Sequence, residues 1–266
     1  MATPPGSSAG DPVLSLHRVT MRFGTVKAVD GMDLAIRRGE HRGLVGPPGA
    51  GKSTVMRLIA GVIRPTGGRV EYDGHDVTDL PESRRPGIAR TFQHGTAVAG
   101  LTCVEHVAMA LGAHGRGGRP VPPPRDRQHA LTVEVLDLLR TAGLAEQAGE
   151  ATDRLPPGAR RRLEIAVALA SRPRLLLLDE PMAGMTAGER VRFADLLQGL
   201  PAGLTVVLTG CDRDTVAAVS SHVTTLERPE QITVPAWRAR RRPARHVERK
   251  FHVPEPPDAL TFADAG

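Results

Sequence analysis

Apolar and polar positions fall into two recurring patterns along this chain. Val13 to Val19 and Asp33 to Ile36 are short apolar-rich runs that predict strands flanking a turn around Gly24. Gly43 to Val45 predicts another strand, and Thr54 to Ala60 then shows helical spacing. Gly67-Gly68 and Asp73-Gly74 are turn pairs that bracket a strand over Arg69 to Tyr72. Helical spacing returns in Val104 to Leu111, Leu131 to Leu139, Arg160 to Ala170 and Val191 to Leu200. Gly112 to Pro124, rich in Gly, Pro and Arg, is expected to stay irregular. Leu175 to Leu178 and Leu204 to Thr209 are continuous apolar runs, the pattern of parallel strands buried on both faces. From about Glu230 the pattern dissolves into Pro, Arg and isolated apolar residues, so that end is expected to be poorly ordered. Strands alternating with helices predict an α/β sheet with ligand at the strand carboxyl ends.

One segment turns this outline into chemistry. Gly46-Pro47-Pro48-Gly49-Ala50-Gly51-Lys52-Ser53 fills every defined position of the phosphate-loop pattern G-x-x-x-x-G-K-[ST], between a short strand and a helix. Glycines let the main chain wrap a phosphate closely enough to donate N–H groups to it. Lys52 is expected to set its charge on the β- and γ-phosphates of a nucleoside triphosphate, and the Ser53 hydroxyl to ligate Mg²⁺. The helix opening at Thr54 would aim its positive end at the same phosphates. Gly46, Gly49, Ala50, Gly51, Lys52, Ser53 and Thr54 are thus the candidate nucleotide-binding residues.

Asp179-Glu180, directly after four leucines, is the second chemical signal. A carboxylate at the end of a central strand beside a phosphate loop can hold Mg²⁺ or its waters, which assigns Asp179 to the metal. Glu180 then stands where a general base would polarise water toward the γ-phosphate.

Composition narrows the setting. The chain has 266 residues, enough for one large domain or a core with a subdomain. No apolar run approaches the roughly 20 residues that span a bilayer, and Met1 to Pro12 resembles neither signal peptide nor anchor. A soluble protein with any membrane role exercised through a partner is expected. Cys103 and Cys211 are too few for a disulfide framework or zinc site, which suits a reducing cytoplasm. Basic residues number 35 against 29 acidic, and the excess is arginine. Arg238, Arg240, Arg241, Arg242, Arg245, Arg249 and Lys250 cluster near the C-terminus. Such a cluster can attract nucleic acid or an anionic membrane; with few apolar or aromatic residues among the arginines, it reads as a solvated tail, and no specific nucleic-acid partner is expected.

Further stretches carry a resemblance. Met21-Arg22-Phe23-Gly24, Arg64-Pro65-Thr66-Gly67-Gly68, Ile88-Ala89-Arg90-Thr91-Phe92-Gln93-His94, Arg161-Arg162-Leu163-Glu164-Ile165-Ala166 and Leu178-Asp179-Glu180-Pro181-Met182-Ala183-Gly184 occur in this order between Val13 and Leu226. Over that span the chain resembles the ATP-binding subunit of an ABC (ATP-binding cassette) transporter, and most of all the subclass serving branched-chain amino acid importers.

The resemblance implies an α/β P-loop NTPase fold with a RecA-like core, an N-terminal antiparallel β subdomain and an α-helical subdomain. The expected division is a tail over 1–12, core with β subdomain over 13–92, helical subdomain with signature loop over 93–173, the second part of the core over 174–228, and a basic tail over 229–266. It implies that Phe23 stacks on adenine, and that Gln93 touches Mg²⁺ and the attacking water and relays to the membrane subunit. ATP and Mg²⁺ are the implied cofactors. The implied partners are permease subunits at the inner face of the plasma membrane and a second ATP-binding subunit, since each nucleotide lies between the phosphate loop of one subunit and the signature loop of the other.

The chain departs from the family pattern at four places. Leu155-Pro156-Pro157-Gly158-Ala159 stands where the signature usually reads Leu-Ser-x-Gly-Gln, and Pro156 has neither hydroxyl nor N–H. Arg160, Arg161 and Arg162 could return some positive charge there. Cys211-Asp212 replaces the switch His-Asp, Thr186 takes a place usually held by Asp or Asn, and Pro48 replaces an Asn of the phosphate loop. The signature defect impairs the site on the partner's loop, and the switch defect impairs the site on this chain's own loop. A heterodimer with an intact sister would carry two sites impaired once each, which favours pairing with a different subunit over self-pairing. Three functions remain open: an ATPase energising an importer, a nucleotide-binding regulatory or structural subunit that scarcely hydrolyses ATP, and a nucleic-acid-associated ATPase of cassette type.

Overall fold

The computed structural model describes residues 12–91, 100–115 and 125–228. Two sheets organise them. Strands β1 (Pro12–Phe23) and β2 (Val26–Arg37) form a hairpin closed at Gly24, and β1 also pairs with β4 (Gly67–Tyr72), which pairs with the short β5 (His75–Asp76). This sheet, in the order β2-β1-β4-β5, is wholly antiparallel.

The second sheet has the order β6-β7-β8-β3-β9 and is parallel throughout. Its strands are β3 (His41–Val45), β6 (Ile88–Arg90), β7 (Leu175–Leu178), β8 (Thr205–Gly210) and β9 (His222–Thr225). Helix α1 (Lys52–Ala60) follows β3 through the glycine-rich loop. Helices α2 (Cys103–Gly115), α3 (Arg125–Thr141) and α4 (Pro157–Leu169) lie in the chain between β6 and β7; α5 (Ala187–Gln198) and α6 (Arg213–Ala217) complete the set.

The four-leucine run explains why the parallel sheet is central. Leu175 and Leu177 join one buried apolar cluster with Leu44, the α1 residues Val55, Met56 and Ile59, and the antiparallel sheet. Leu176 and Leu178 join the other, with residues of α2, α3, α4 and α5. Side chains alternate across a strand, so an uninterrupted apolar run serves two cores at once.

Both hairpin strands run beyond their predicted limits, to Phe23 and from Val26, and α3 and α5 begin earlier than the spacing indicated. For α5 the reason is a capping box: the Thr186 hydroxyl accepts from Glu189 N–H while the Glu189 carboxylate accepts from Thr186 N–H. The irregular linker expected from Gly112 is corrected at its start, because α2 continues through Gly112 to Gly115. A glycine inside a helix costs about 1 kcal/mol relative to alanine, too little to end one already anchored by buried Cys103 and Val107. Strands β6 and β9 and helix α6 were not legible from periodicity, each being five residues or fewer. Gln93, Phe92 and the segment from Glu230, with its basic cluster, lie outside the described residues.

Candidate nucleotide-binding site

The glycine-rich loop lies at the carboxyl end of β3, and its main chain is tightly enclosed. A Cβ on Gly46 would stand 2.4 Å from the Leu226 carbonyl oxygen, and one on Gly51 would stand 2.2 Å from that of Ala28. Gly51 also has φ +86°, the left-handed region that glycine enters without penalty. Gly51 is the N-cap of α1 and supplies no side chain to the first-turn N–H groups. Those amides, including those of Ser53 and Thr54, belong to a helix N-terminus whose partial positive charge favours anions. The tip is tied by Ala50 N–H donating to the Pro47 carbonyl and by Arg228 Nε donating to that of Pro48. Ala50 itself is buried, while Pro47, Pro48 and Gly49 are exposed.

Lys52 is buried, and its ammonium is held inside the loop it serves. Nζ donates to the carbonyls of Gly46 at 2.8 Å and Pro47 at 3.2 Å. It also stands 3.5 Å from Cys211 Sγ and 3.7 Å from Glu180 Oε1.

The strand-end acids meet the loop directly. Asp179, following β7, is buried, and its Oδ1 accepts from Ser53 Oγ at 3.1 Å and from Thr209 Oγ1 at 2.7 Å. Glu180 is more open, with 38 % of its side chain exposed, and its main chain sits at φ +45°. Such a conformation in a non-glycine residue costs on the order of 1–3 kcal/mol and persists only where neighbours hold it. One holder is plain: Glu180 N–H donates to Thr209 Oγ1 at 2.7 Å. Thr209 escaped the sequence reading. Its only mark in the sequence is a polar residue at the end of the apolar Leu204 to Thr209 run; the register that sets it beside Asp179 belongs to the fold.

Cys211 stands where the resemblance places a switch histidine. Its thiol lies 3.5 Å from Glu180 Oε1, beside a cavity of about 270 Å³ lined by Glu180, Thr209, Asp212 and Thr215 among others. Of the expected site residues, Gly46, Lys52, Ser53, Asp179 and Glu180 come together around this point. Phe23 is half exposed, at the end of β1 beside the turn of the hairpin. Gln93 lies outside the described residues.

The signature position has its own chemistry. Pro156 is the N-cap of α4 and Pro157 its first residue, where a missing N–H costs least. Arg160 is spent locally, donating from Nε to Leu155 O and from Nη2 to Asp153 O, and Arg161 pairs with Glu164. Arg160 thus keeps its charge on the carbonyls just before the helix, while that of Arg161 is met by a carboxylate. Arg162, with Arg192 and Glu189, does line a small cavity beside Pro156 and Gly158. The Glu189 carboxyl is held below the usual carboxylate range, chiefly by the Thr186 N–H and hydroxyl, with the Gly158 N–H adding to the effect.

A Mg²⁺ ion fits this donor set. Ser53 and Asp179 offer hard oxygens that converge at the strand end, and among the described residues no cluster of three or more His, Cys, Asp or Glu forms a cage. Magnesium characteristically takes one or two protein oxygens and completes its shell with phosphates and water. Among the described residues no helix is long and apolar enough to cross a membrane.

Comparison with known proteins accords with this geometry. The family described as ABC transporter matches residues 29–183. The high-affinity branched-chain amino acid transport ATP-binding protein BraF of Pseudomonas aeruginosa is 33% identical over 238 residues, which cover 83% of this chain and 93% of BraF. The sulfate/thiosulfate import ATP-binding protein CysA 2 of Chromobacterium violaceum is 35% identical over 229 residues, 84% of this chain; this chain spans only 59% of that relative. Among solved structures, the dimeric post-hydrolysis state of the ATP-binding cassette MJ0796 bound to ADP and Pi superposes with a TM-score of 0.68 at 27% identity, over 81% of this chain and 94% of that one. The α/β fold with its phosphate loop is thus that of an ABC cassette. With a family match over more than half its length and a relative aligned almost end to end, this chain belongs to the ABC transporter family, as an ATP-binding subunit.

Proposed function

We propose that this subunit binds Mg–ATP at the Gly46–Thr54 loop and hydrolyses it to power an importer of the branched-chain amino acid type. The observation carrying the proposal is the convergence of Lys52, Ser53, Asp179 and Glu180 at one strand end. Main-chain amides of the loop and of the first turn of α1 bind the phosphates, and Lys52 supplies the compact charge. Ser53 and Asp179 hold the metal, which when bound neutralises developing charge on the phosphates. Glu180 accepts a proton from the attacking water at its exposed carboxylate. Phe23 would pack against the base, and the contact with metal and water that the family resemblance assigns to Gln93 falls on a residue outside the described ones.

The solute class rests on the similarity to BraF along nearly all of BraF's length. The subunit works as one half of a head-to-tail dimer on permease subunits at the inner face of the plasma membrane. A different, intact sister subunit is favoured, because Pro156 and Cys211 would impair each homodimer site twice.

A second reading is favoured by the same two residues. With a proline at the signature start and a thiol beside Glu180, the chain would close on ATP and hydrolyse it scarcely at all. Steady-state ATPase of the complex with sister and permease, compared with Glu180→Gln, separates the two. A large fall in phosphate release supports the enzyme; an unchanged rate deprives it of its base and leaves the regulatory subunit.

A further inference from the structure

We propose that Thr209 is a positioning residue for this ATPase site: one hydroxyl fixes Asp179, the metal-side acid, against the main chain of Glu180, the water-side acid. The inference rests on the roles just assigned to those two acids.

Parallel register brings the residues together. Leu178 pairs with Leu208 across β7 and β8, so Asp179 and Thr209 follow side by side at the carboxyl edge of the sheet. Thr209 is 1% exposed, in a strand whose other interior residues include Val206, Val207 and Leu208. Packing at such a place is met equally well by valine, which has the same shape. What valine lacks is the hydroxyl, and that hydroxyl bonds both acids of the site.

The direction of the bonds follows from proton counting. A hydroxyl has a single proton to donate and lone pairs to accept with. Thr209 Oγ1 accepts from Glu180 N–H at 2.7 Å, and its proton is directed to Asp179 Oδ1, also at 2.7 Å. The result is a one-way chain, from amide to hydroxyl to carboxylate, in which each bond polarises the next. At one end the chain gives Oδ1 of Asp179 a second donor beside the Ser53 hydroxyl, which donates to the same oxygen. At the other it helps hold Glu180 at φ +45°. Losing the hydroxyl removes one donor from Oδ1 of Asp179 and leaves a strained peptide without this acceptor.

The test uses the full chain with Thr209→Val and Thr209→Ser, and with Asp179→Asn as the control on the metal reading. Mn²⁺ affinity in the presence of a non-hydrolysable ATP analogue, read by electron paramagnetic resonance, does not depend on turnover. Loss of an outer-shell partner typically weakens metal binding by about 10–100-fold, and that is the fall expected for Thr209→Val. Thr209→Ser should restore wild-type affinity, and binding of the analogue in metal-free buffer should be the same in all three proteins. If Thr209→Val fails to fold, Thr209→Ala removes the same hydroxyl and carries the same expectation. Wild-type Mn²⁺ affinity in the Val or Ala variant, with Asp179→Asn impaired, overturns the role of Thr209 while the metal reading stands. Equal impairment of the Ser and Val variants also overturns it, by assigning the effect to packing. Undiminished Mn²⁺ affinity in Asp179→Asn would instead sink the reading on which the proposal rests.

Discussion

Lys52 Nζ lies 3.7 Å from Glu180 Oε1, an ion pair that joins the phosphate loop after β3 to the end of β7, two strands away in the same sheet. The two side chains differ sharply in access: 5% of the lysine is exposed against 38% of the glutamate. The lysine is therefore fixed by its surroundings, while the carboxylate keeps an open side toward solvent. That asymmetry suits a buried charge that grips phosphate and an acid that must reach water.

Lys52→Ala removes a charge-assisted donor, a loss of about 1.5–3 kcal/mol where the acceptor is charged. Calorimetric affinity for Mg–ATP should fall by about ten- to a hundredfold, since each 1.4 kcal/mol is a factor of ten. Lys52→Arg should not repair it, because a forked guanidinium does not fit a position this enclosed. Wild-type affinity in the alanine variant would remove Lys52 from the binding site.

Tyr72 gives an expectation for alkaline pH. Its hydroxyl donates to the Gly87 carbonyl at 3.2 Å, and burial, reinforced by the charge of Asp73 and opposed by Arg174 and Arg38, pushes the phenol up to about 12 from an ordinary value of 10.0. The folded state thus favours the neutral phenol. Unfolded chains ionise near pH 10, so stability should drop as pH rises through 10, and the loss should level off near 12. Tyr72 is the chain's only tyrosine, so phenolate absorbance reports it without interference. A phenol titrating near 10 in folded protein, or a Tyr72→Phe variant with the same slope of denaturant midpoint against pH, would contradict the account.

Much of the site was legible because its parts are local. The loop, Lys52, Ser53 and the acids after Leu178 each sit in a contiguous motif whose chemistry fixes residue type and spacing. What stayed hidden depends on contacts between distant segments. Arg85 is the clearest case: its guanidinium is buried and donates to the carbonyls of Leu58, Ile59, Leu80 and Thr78, closing the C-terminal end of α1. In sequence it is one arginine among many. Thr209 was hidden for a similar reason, since its importance comes from a register between β7 and β8 that no single run of residues encodes. Pro156 and Pro157 show the reverse: their chemistry was readable as a loss, and the structure adds that the helix they open forms regardless.

Cys211→His addresses the deficit beside Glu180 directly. The thiol is close to both charged groups, 3.5 Å from Lys52 Nζ and 3.5 Å from Glu180 Oε1, but sulfur is a weak donor and a weak acceptor. An imidazole offers two ring nitrogens, and the adjacent cavity of about 270 Å³ gives the larger ring room to turn toward the acid. A positioned acid–base group typically contributes about 10²–10⁴-fold, so phosphate release in the complex with sister and permease should rise by at least about a hundredfold. The gain should weaken below about pH 6.5, where imidazole becomes a cation and loses its acceptor nitrogen. It should also vanish when Glu180→Gln is added, because the ring serves the same water as the carboxylate. If Cys211→His turns over no faster than wild type while Glu180→Gln alone still slows it, the thiol is not what limits this site. Pro156→Ser then tests the defect of the other site: it should raise the rate at the partner's nucleotide, which this chain's signature loop serves.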